Sequence, residues 1–341
     1  MKTVHMTHNS HIPFYLTRLF HKSALITLSC LILLSCSKKS SSPSALDVDK
    51  EPTVYVAGDD GANPILWKNG NPTTLSITGG SASQVLVSGS DLYVAGITDQ
   101  NFNNVLTPAG PSGQPCYWKN GAQTNIGNPA WLDKTCCSIA LAGNNVYFST
   151  TSLWENGHAV PPALTGYASI SAIFAAGTDI YCAGYDSLAD IACWKNGTLN
   201  VVAPHAPGVF CMYVSGNDVY IGGIDANNVA TYWKNGTPVQ LHAANGNFVT
   251  GIRAIFVSGN DVYTVANVLL PVGYDIPAYW KNGVEQDLFL GSATYGYAND
   301  IFVSGSDIYV AGQTSAGAVY WKNNSATILS PKGEANSIYF Q

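Results

Sequence analysis

An all-β chain of stacked repeats is predicted by three observations. The tetrapeptide Trp-Lys-Asn-Gly, or a close variant, begins at Trp67, Trp118, Trp154, Trp194, Trp233, Trp280 and Trp321. A second motif, Val-Ser-Gly-Ser-Asp running into Tyr-Val-Ala-Gly, alternates with it, as at 87–96 and 303–312. Both motifs join short β-branched and aromatic runs through turns rich in Gly, Asn and Asp. A motif returning roughly every 40 residues marks a stacked-repeat architecture.

The N-terminal segment stands apart from the repeats. In residues 1–35, Lys2, Arg18 and Lys22 precede an apolar run from Ala24 to Ser35. That run is too short to span a bilayer and suits the core of a signal peptide. It ends in Leu33-Leu34-Ser35-Cys36, which resembles the lipobox of bacterial lipoproteins. The resemblance implies cleavage before Cys36, a diacylglyceryl group on its sulfur, and contact with a lipid bilayer through it. Ser37 after the lipid Cys implies outer-membrane sorting, hence a cell-envelope location. Residues 36–52 then read as the lipidated Cys and a flexible tether, rich in Ser, Lys and Pro.

Residues 53–341 carry the repeats. The stretch before each Trp reads as two strands around a tight Gly-Ser-Asp or Gly-Asn-Asp turn; these are strands a and b. A second hairpin follows. Strand c ends in Tyr-Trp-Lys, as at 232–234, Asn-Gly supplies the positive φ angles of a type I′ turn, and strand d follows, as at 238–241. Each unit is thus a four-stranded antiparallel meander, the blade of a β-propeller. The motif Trp and the strand-b Tyr (Tyr55, Tyr93, Tyr147, Tyr181, Tyr220, Tyr263, Tyr309) are expected to pack between blades. The turn residues Asp91, Asp179, Asp218, Asp261 and Asp307 are expected to satisfy nearby backbone donors.

The ends set the blade count. Residues 335–341 read as a strand a with no b, c or d, whereas 53–58 read as a strand b with no a. Together they complete one blade. The prediction is seven blades, with the ring closed by the C-terminal strand joining the N-terminal blade. Closure removes exposed sheet edges. In these motifs the chain resembles a group of uncharacterised bacterial lipoproteins, seven-bladed propellers built from Val-Ser-Gly-Ser-Asp-Val-Tyr-Val-Ala-Gly and Tyr-Trp-Lys-Asn-Gly repeats. The resemblance covers residues 53–341 and implies a fold, with no activity attached. Residues 150–157 depart from the pattern, and Glu155 stands where Lys is expected, so the third blade should be the least regular.

Composition narrows the function classes. Past Cys36, twelve bases face 21 acids, a net charge of about −9. Six of the bases are the motif Lys, spread around the ring, so there is no basic patch and nucleic acid is excluded as a partner. Arg18 and Arg253 are the only arginines, too few for a sialidase-type carboxylate cluster. His158, His205 and His242 lie in different repeats without ligand spacing, so no metal is expected, and no cofactor motif occurs. No catalytic signature such as Gly-x-Ser-x-Gly is present. The chain is expected to be a monomer. Beyond the anchor, Cys116, Cys136, Cys137, Cys182, Cys193 and Cys211 allow 15 pairings. Cys182 and Cys193, flanking one hairpin, form the best candidate disulfide; the alternative makes them small apolar fillers.

Function is sought where the repeat breaks. The a–b and c–d turns share one face and hardly vary. The b–c and d–a connections share the other, and the b–c loops vary most: Gly96 to Trp118 is long, Ala266 to Trp280 moderate, Thr150 to Trp154 minimal. Insertions gathered on one face commonly mark a binding face. Trp131, the one Trp outside the motif, lies in a d–a connection, as do Tyr167, Phe248, Tyr295 and Tyr297. Such aromatics either ring the channel mouth, where they would stack on sugars or apolar ligands, or fill gaps between blades. Arg253, Asp300 and Asn336, near the strand-a starts, are candidate polar contacts. The leading expectation is a non-catalytic binding or scaffold module for a glycan, peptide or envelope protein. The alternatives are a glycan lyase or hydrolase with carboxylates at the channel mouth, and a purely structural envelope protein.

Overall fold

A computed structural model describes residues 52–98, 113–127, 137–160 and 166–341. They belong to one compact unit, Glu51–Gln341. Cys36, the tether and Trp131 lie outside the described residues.

The described residues form seven antiparallel sheets, and the fold is a seven-bladed β-propeller. Blades 2 to 7 follow one another along the chain at 80–125, 138–159, 167–203, 208–240, 248–287 and 296–330. Blade 1 is composite. Its strand a is the C-terminal Ala335–Phe340, which pairs antiparallel with Val54–Asp59, and two further strands lead to residue 74. Thr53 and Gln341 exchange two backbone hydrogen bonds beside that pair. Blade 3 is the least regular, with outer strands of three and two residues.

The two hairpins of each blade follow from their turn chemistry. In the c–d turns both central residues have positive φ, for example Asn120 at 50° and Gly121 at 84°, which is the type I′ geometry. In the a–b turns only the first central residue does: Gly89 stands at 59° between the paired Ser88 and Asp91. That is type II′, which requires Gly there.

The motif Lys and turn Asp form a latch between the two hairpins. In blade 5, Lys234 Nζ lies 2.7 Å from Asp218 Oδ2 and over the Tyr220 ring, while Asn235 donates to Asp218 Oδ1. The Asn235 side-chain oxygen Oδ1 in turn accepts the Val219 N–H. Blades 2, 4, 6 and 7 repeat the ion pair. The turn Asp therefore serves Lys and Asn side chains of the neighbouring turn, where the sequence suggested local backbone donors. Ion pairing and these donors hold the Asp218 carboxyl below its usual range. Blade 3 keeps the latch with the roles exchanged: Asn145 replaces Asp and donates to Glu155, which also accepts from Tyr147.

Ala-Gly at the end of strand b answers a bulge in strand a. In blade 7 the register shifts between Ala298 and Asp300, leaving Asn299 unopposed. The bulge brings the Tyr297 carbonyl so near Gly312 that a Cβ there would collide with it. Blade 6 has Ala266 at this position. There strand a is split into Phe248–Val249 and Ala254–Ser258, and no bulge carbonyl lies against Ala266.

Between blades, the motif Trp is the main filler. Trp67, Trp118, Trp194, Trp233, Trp280 and Trp321 are buried, and Trp154 of the short blade is half-buried. Trp280 and Trp321 also donate Nε1–H to carbonyls of the preceding blade, His242 and Phe289. Tyr93, Tyr181, Tyr220, Tyr263 and Tyr309 are buried beside them.

Candidate binding face and channel

Strand a of each blade lines the central channel, and its side chains form two levels. Nearer the a–b turns, Phe174, Tyr213, Phe256, Phe302 and Tyr339 come from five consecutive blades. Their rings touch in sequence at 5.0, 5.2, 4.8 and 5.0 Å between centroids. All sit opposite the strand-b Tyr in register, and Leu86 and Ala140 hold that register in blades 2 and 3. This collar is the aromatic ring of the molecule. In the sequence these residues blend into the ordinary strand-a pattern, whereas the connecting segments stand out. The signal was present: an aromatic three residues before the turn Gly, as in Phe256 and Gly259. Burial raises the Tyr213 hydroxyl pKa, and Tyr339 from across the channel adds to the effect.

The second level lies at the bulges. Here blades 7, 1 and 2 each reach for the next. Asp300 accepts the Ile338 N–H (2.9 Å), Ser337 the Val85 N–H (3.2 Å), and Gln84 the Ile139 N–H (2.7 Å). Asn336 donates to Ser81 Oγ and the Ala82 carbonyl, each at 3.0 Å, as Asn299 does to the Ala335 carbonyl. Asp300 also accepts the Ile301 N–H. Burial pushes its carboxyl up to about 6 against these stabilising donors, and no second carboxylate contributes. By surface area Asp300 is only half-buried. Its exposed part faces the channel, where protein surrounds it on all sides, so burial governs its chemistry.

At the mouth beyond the bulges, blades 5, 6 and 7 present a cluster of exposed and half-exposed rings. Tyr274 and Tyr295 stack with centroids 6.3 Å apart and 15° between planes. Tyr297 meets Tyr295 edge-on at 6.1 Å. Burial, and then the charge and hydrogen bond of Asp275, raise the Tyr297 pKa, while Arg253 opposes the rise. Arg253 is exposed and its guanidinium lies 5.9 Å from the centre of the Phe210 ring, itself 42% exposed. Phe210 needs the bare backbone of Gly251, where a Cβ would strike its ring. Asp275 Oδ1 is buried and has no hydrogen-bond partner among the described residues, a costly state for an acceptor.

The structure thus brings three expected residues together, Tyr295, Tyr297 and Arg253, and adds Tyr274, Asp275 and Phe210. Tyr274 sits in a b–c loop and Phe210 occupies a bulge inside a strand, so neither carries a repeat position that marks it in the sequence. Asp300 and Asn336 are engaged between blades. Phe248, 49% exposed, borders a separate hollow of about 300 Å³ with Asn228 and His242. Tyr167 begins strand a of blade 4 opposite Asp186.

The expected Cys182–Cys193 disulfide is not formed, and the register explains why. Cys182 opposes Trp194 and Cys193 opposes Ala183, so the two thiols point to opposite faces of the sheet. Cys182 packs toward blade 3 and Cys193 toward blade 5. Burial raises their pKa values to about 12 and about 11, so both are neutral thiols. Among the described residues, no group of three His, Cys, Asp or Glu is placed to hold a metal.

No family model matches the chain, and no curated protein matches it. Solved structures do resemble it in fold. The extracellular domain of a hybrid two-component system from B. thetaiotaomicron aligns over 77% of this chain at 13% identity, TM-score 0.46, and this chain covers 37% of that one. The WD40 propeller domain of Doa1 aligns over 82% at 10% identity, with 86% of that chain covered and a TM-score of 0.48. Apo AztD from Citrobacter koseri aligns over 85% at 10% identity, with 98% of that chain covered and a TM-score of 0.39.

Proposed function

We propose that this protein is a non-catalytic glycan-binding module of the bacterial envelope, an outer-membrane lipoprotein tethered through acylated Cys36. The reading rests on the Tyr274–Tyr295–Tyr297 cluster beside the Arg253–Phe210 pair on the variable-loop face. Exposed ring faces suit the apolar faces of sugars, and polar groups set among them supply orientation. Arg253 offers donors at the edge of the rings, and Asp275 hydrogen-bonds the Tyr297 hydroxyl from behind. A glycan array probed with the full-length protein tests this. Binding should be lost in Tyr274→Ala and Tyr297→Ala, weakened in Arg253→Ala, and kept in Lys234→Ala on the opposite face. Equal binding by all four variants would refute the site.

Asp300 gives an enzymatic reading its one specific support, since raised carboxyl pKa values gather at catalytic sites. A glycosidase, however, needs two carboxylates across the scissile bond. The Asp300 shift comes from burial alone, and both oxygens serve backbone donors. A structural role for Asp300 accounts for both facts, so the binding module is the better reading.

A further inference from the structure

A second site opens on the other side of the ring. Each strand c places one residue, just before the motif Trp, toward the next blade. It is Tyr117, Tyr232, Tyr279 and Tyr320 in blades 2, 5, 6 and 7, and Leu66 and Leu153 in blades 1 and 3. In blade 4 it is Cys193. Where the Tyr is present it fills the seam. Tyr232 is 8% exposed, and its ring lies 6.4 Å from that of Tyr220 on strand b. In blade 4 the equivalent of Tyr220 is Tyr181, fixed by the same register against Lys195. Tyr181 has no such ring beside it. Instead the seam between blades 4 and 5 holds a groove of about 710 Å³, lined by Tyr181, Cys193, Val202, Val219, Ile221 and Trp233. It reaches the c–d turn residues Asn196 and Asn235, and so opens away from the variable-loop face.

We propose that this groove binds a small phenolic ligand, whose ring takes the place that the repeat's own Tyr holds in the neighbouring seam. The neighbouring blade defines the pose. The ring would lie against Tyr181 as Tyr232 lies against Tyr220, with Cys193 at its edge and Val219 on one face, as Val262 flanks the blade 5–6 seam, while Asn200 stands at the register position of Val239. Its hydroxyl would point toward Lys195, as that of Tyr232 is influenced by Lys234. The volume falls within the range of small-molecule sites. A residual Cys leaves both room and an apolar floor.

The probe is 4-methylphenol, the Tyr side-chain analogue, titrated into the full-length protein by calorimetry with a parallel thermal-shift series. The parent should bind one equivalent saturably. Cys193→Tyr should lose binding, and its own melting temperature should rise above the parent's because the seam is filled. If Cys193→Tyr fails to fold, Cys193→Leu, the residue type of blades 1 and 3, should also lose binding. Unchanged binding in the folded variant, no saturable binding by the parent, or equal affinity for 4-methylcyclohexanol would each overturn the proposal. The last outcome would mean that the groove does not read an aromatic face.

Discussion

Replacing Asp300 by Asn isolates the one carboxylate that the channel disfavours. The folded carboxyl titrates near 6 and the unfolded one near 3.8. Between these values the folded state holds more protons than the unfolded state, so stability falls as pH rises from about 4 to about 6 and is level above. About two pKa units at ~1.4 kcal/mol each make a change of roughly 3 kcal/mol. Asp300 is half-buried, so solvent screening reduces this and the figure is a ceiling. For a domain of this size it corresponds to a shift of about 5 °C in Tm. The turn aspartates move the other way. Their pKa values are lowered, so their contribution is lost only as pH falls below the ordinary carboxylate range. The assay is Tm against pH for parent and Asp300→Asn between pH 7 and pH 4.5. The parent should gain on the variant as pH falls through 6, because the other carboxylates cancel in the difference. Absolute stability at pH 7 is a poorer measure. Asn relieves the buried charge but presents an amide to the Ile301 or Ile338 N–H. Parallel curves, or a parent that loses ground below pH 6, would refute the reasoning.

Three further outcomes follow from the fold. Deleting residues 335–341 removes the buried Ala335, Ser337 and Ile338 and bares the edge of Val54–Asp59, so cooperative unfolding should weaken by on the order of 5 kcal/mol or more; an unchanged denaturant midpoint would disprove closure. Glu155→Lys alone should destabilise blade 3, and adding Asn145→Asp should restore the usual latch, with a coupling of roughly 0.2–1 kcal/mol in a double-mutant cycle; strict additivity would count against the exchanged latch. Gly312→Ala should cost about 2 kcal/mol or more by urea denaturation because the Tyr297 carbonyl must move, whereas Gly305→Ala, in open space at φ 58°, should cost roughly 1–2 kcal/mol; equal losses would remove the bulge argument.

Blade number, strand order, the Asn-Gly turn type and ring closure were legible in the sequence because each rests on a local pattern repeated many times. Asn-Gly dictates its turn wherever it stands, and seven copies average out any one irregularity. Relations between blades were harder to read. The Lys234–Asp218 latch joins residues 16 apart, and nothing in either motif alone points to the other. Cys182 and Cys193 looked paired because they flank a hairpin, yet one step in register puts them on opposite faces. The site was half legible. Tyr295, Tyr297 and Arg253 stood out as departures from the repeat, whereas Phe210 and Tyr274 gain meaning only when blades 5, 6 and 7 stand side by side.

Ring closure also has a consequence in time. The pair Val54 and Phe340 joins nearly the two ends of the domain. Bringing together chain ends about 286 residues apart costs about 5 kcal/mol of loop entropy if nothing between them has folded, and much less once six blades stand. Blades 2 to 7 are local meanders and can form as they emerge, so this pair is the last to be made. Until it forms, Val54–Asp59 is an open strand edge beside an unsealed seam. The final seven residues thus act as the clasp of a bracelet. The risk of misassembly is concentrated in the interval before they arrive, and a folding helper would find its binding edge on blade 1.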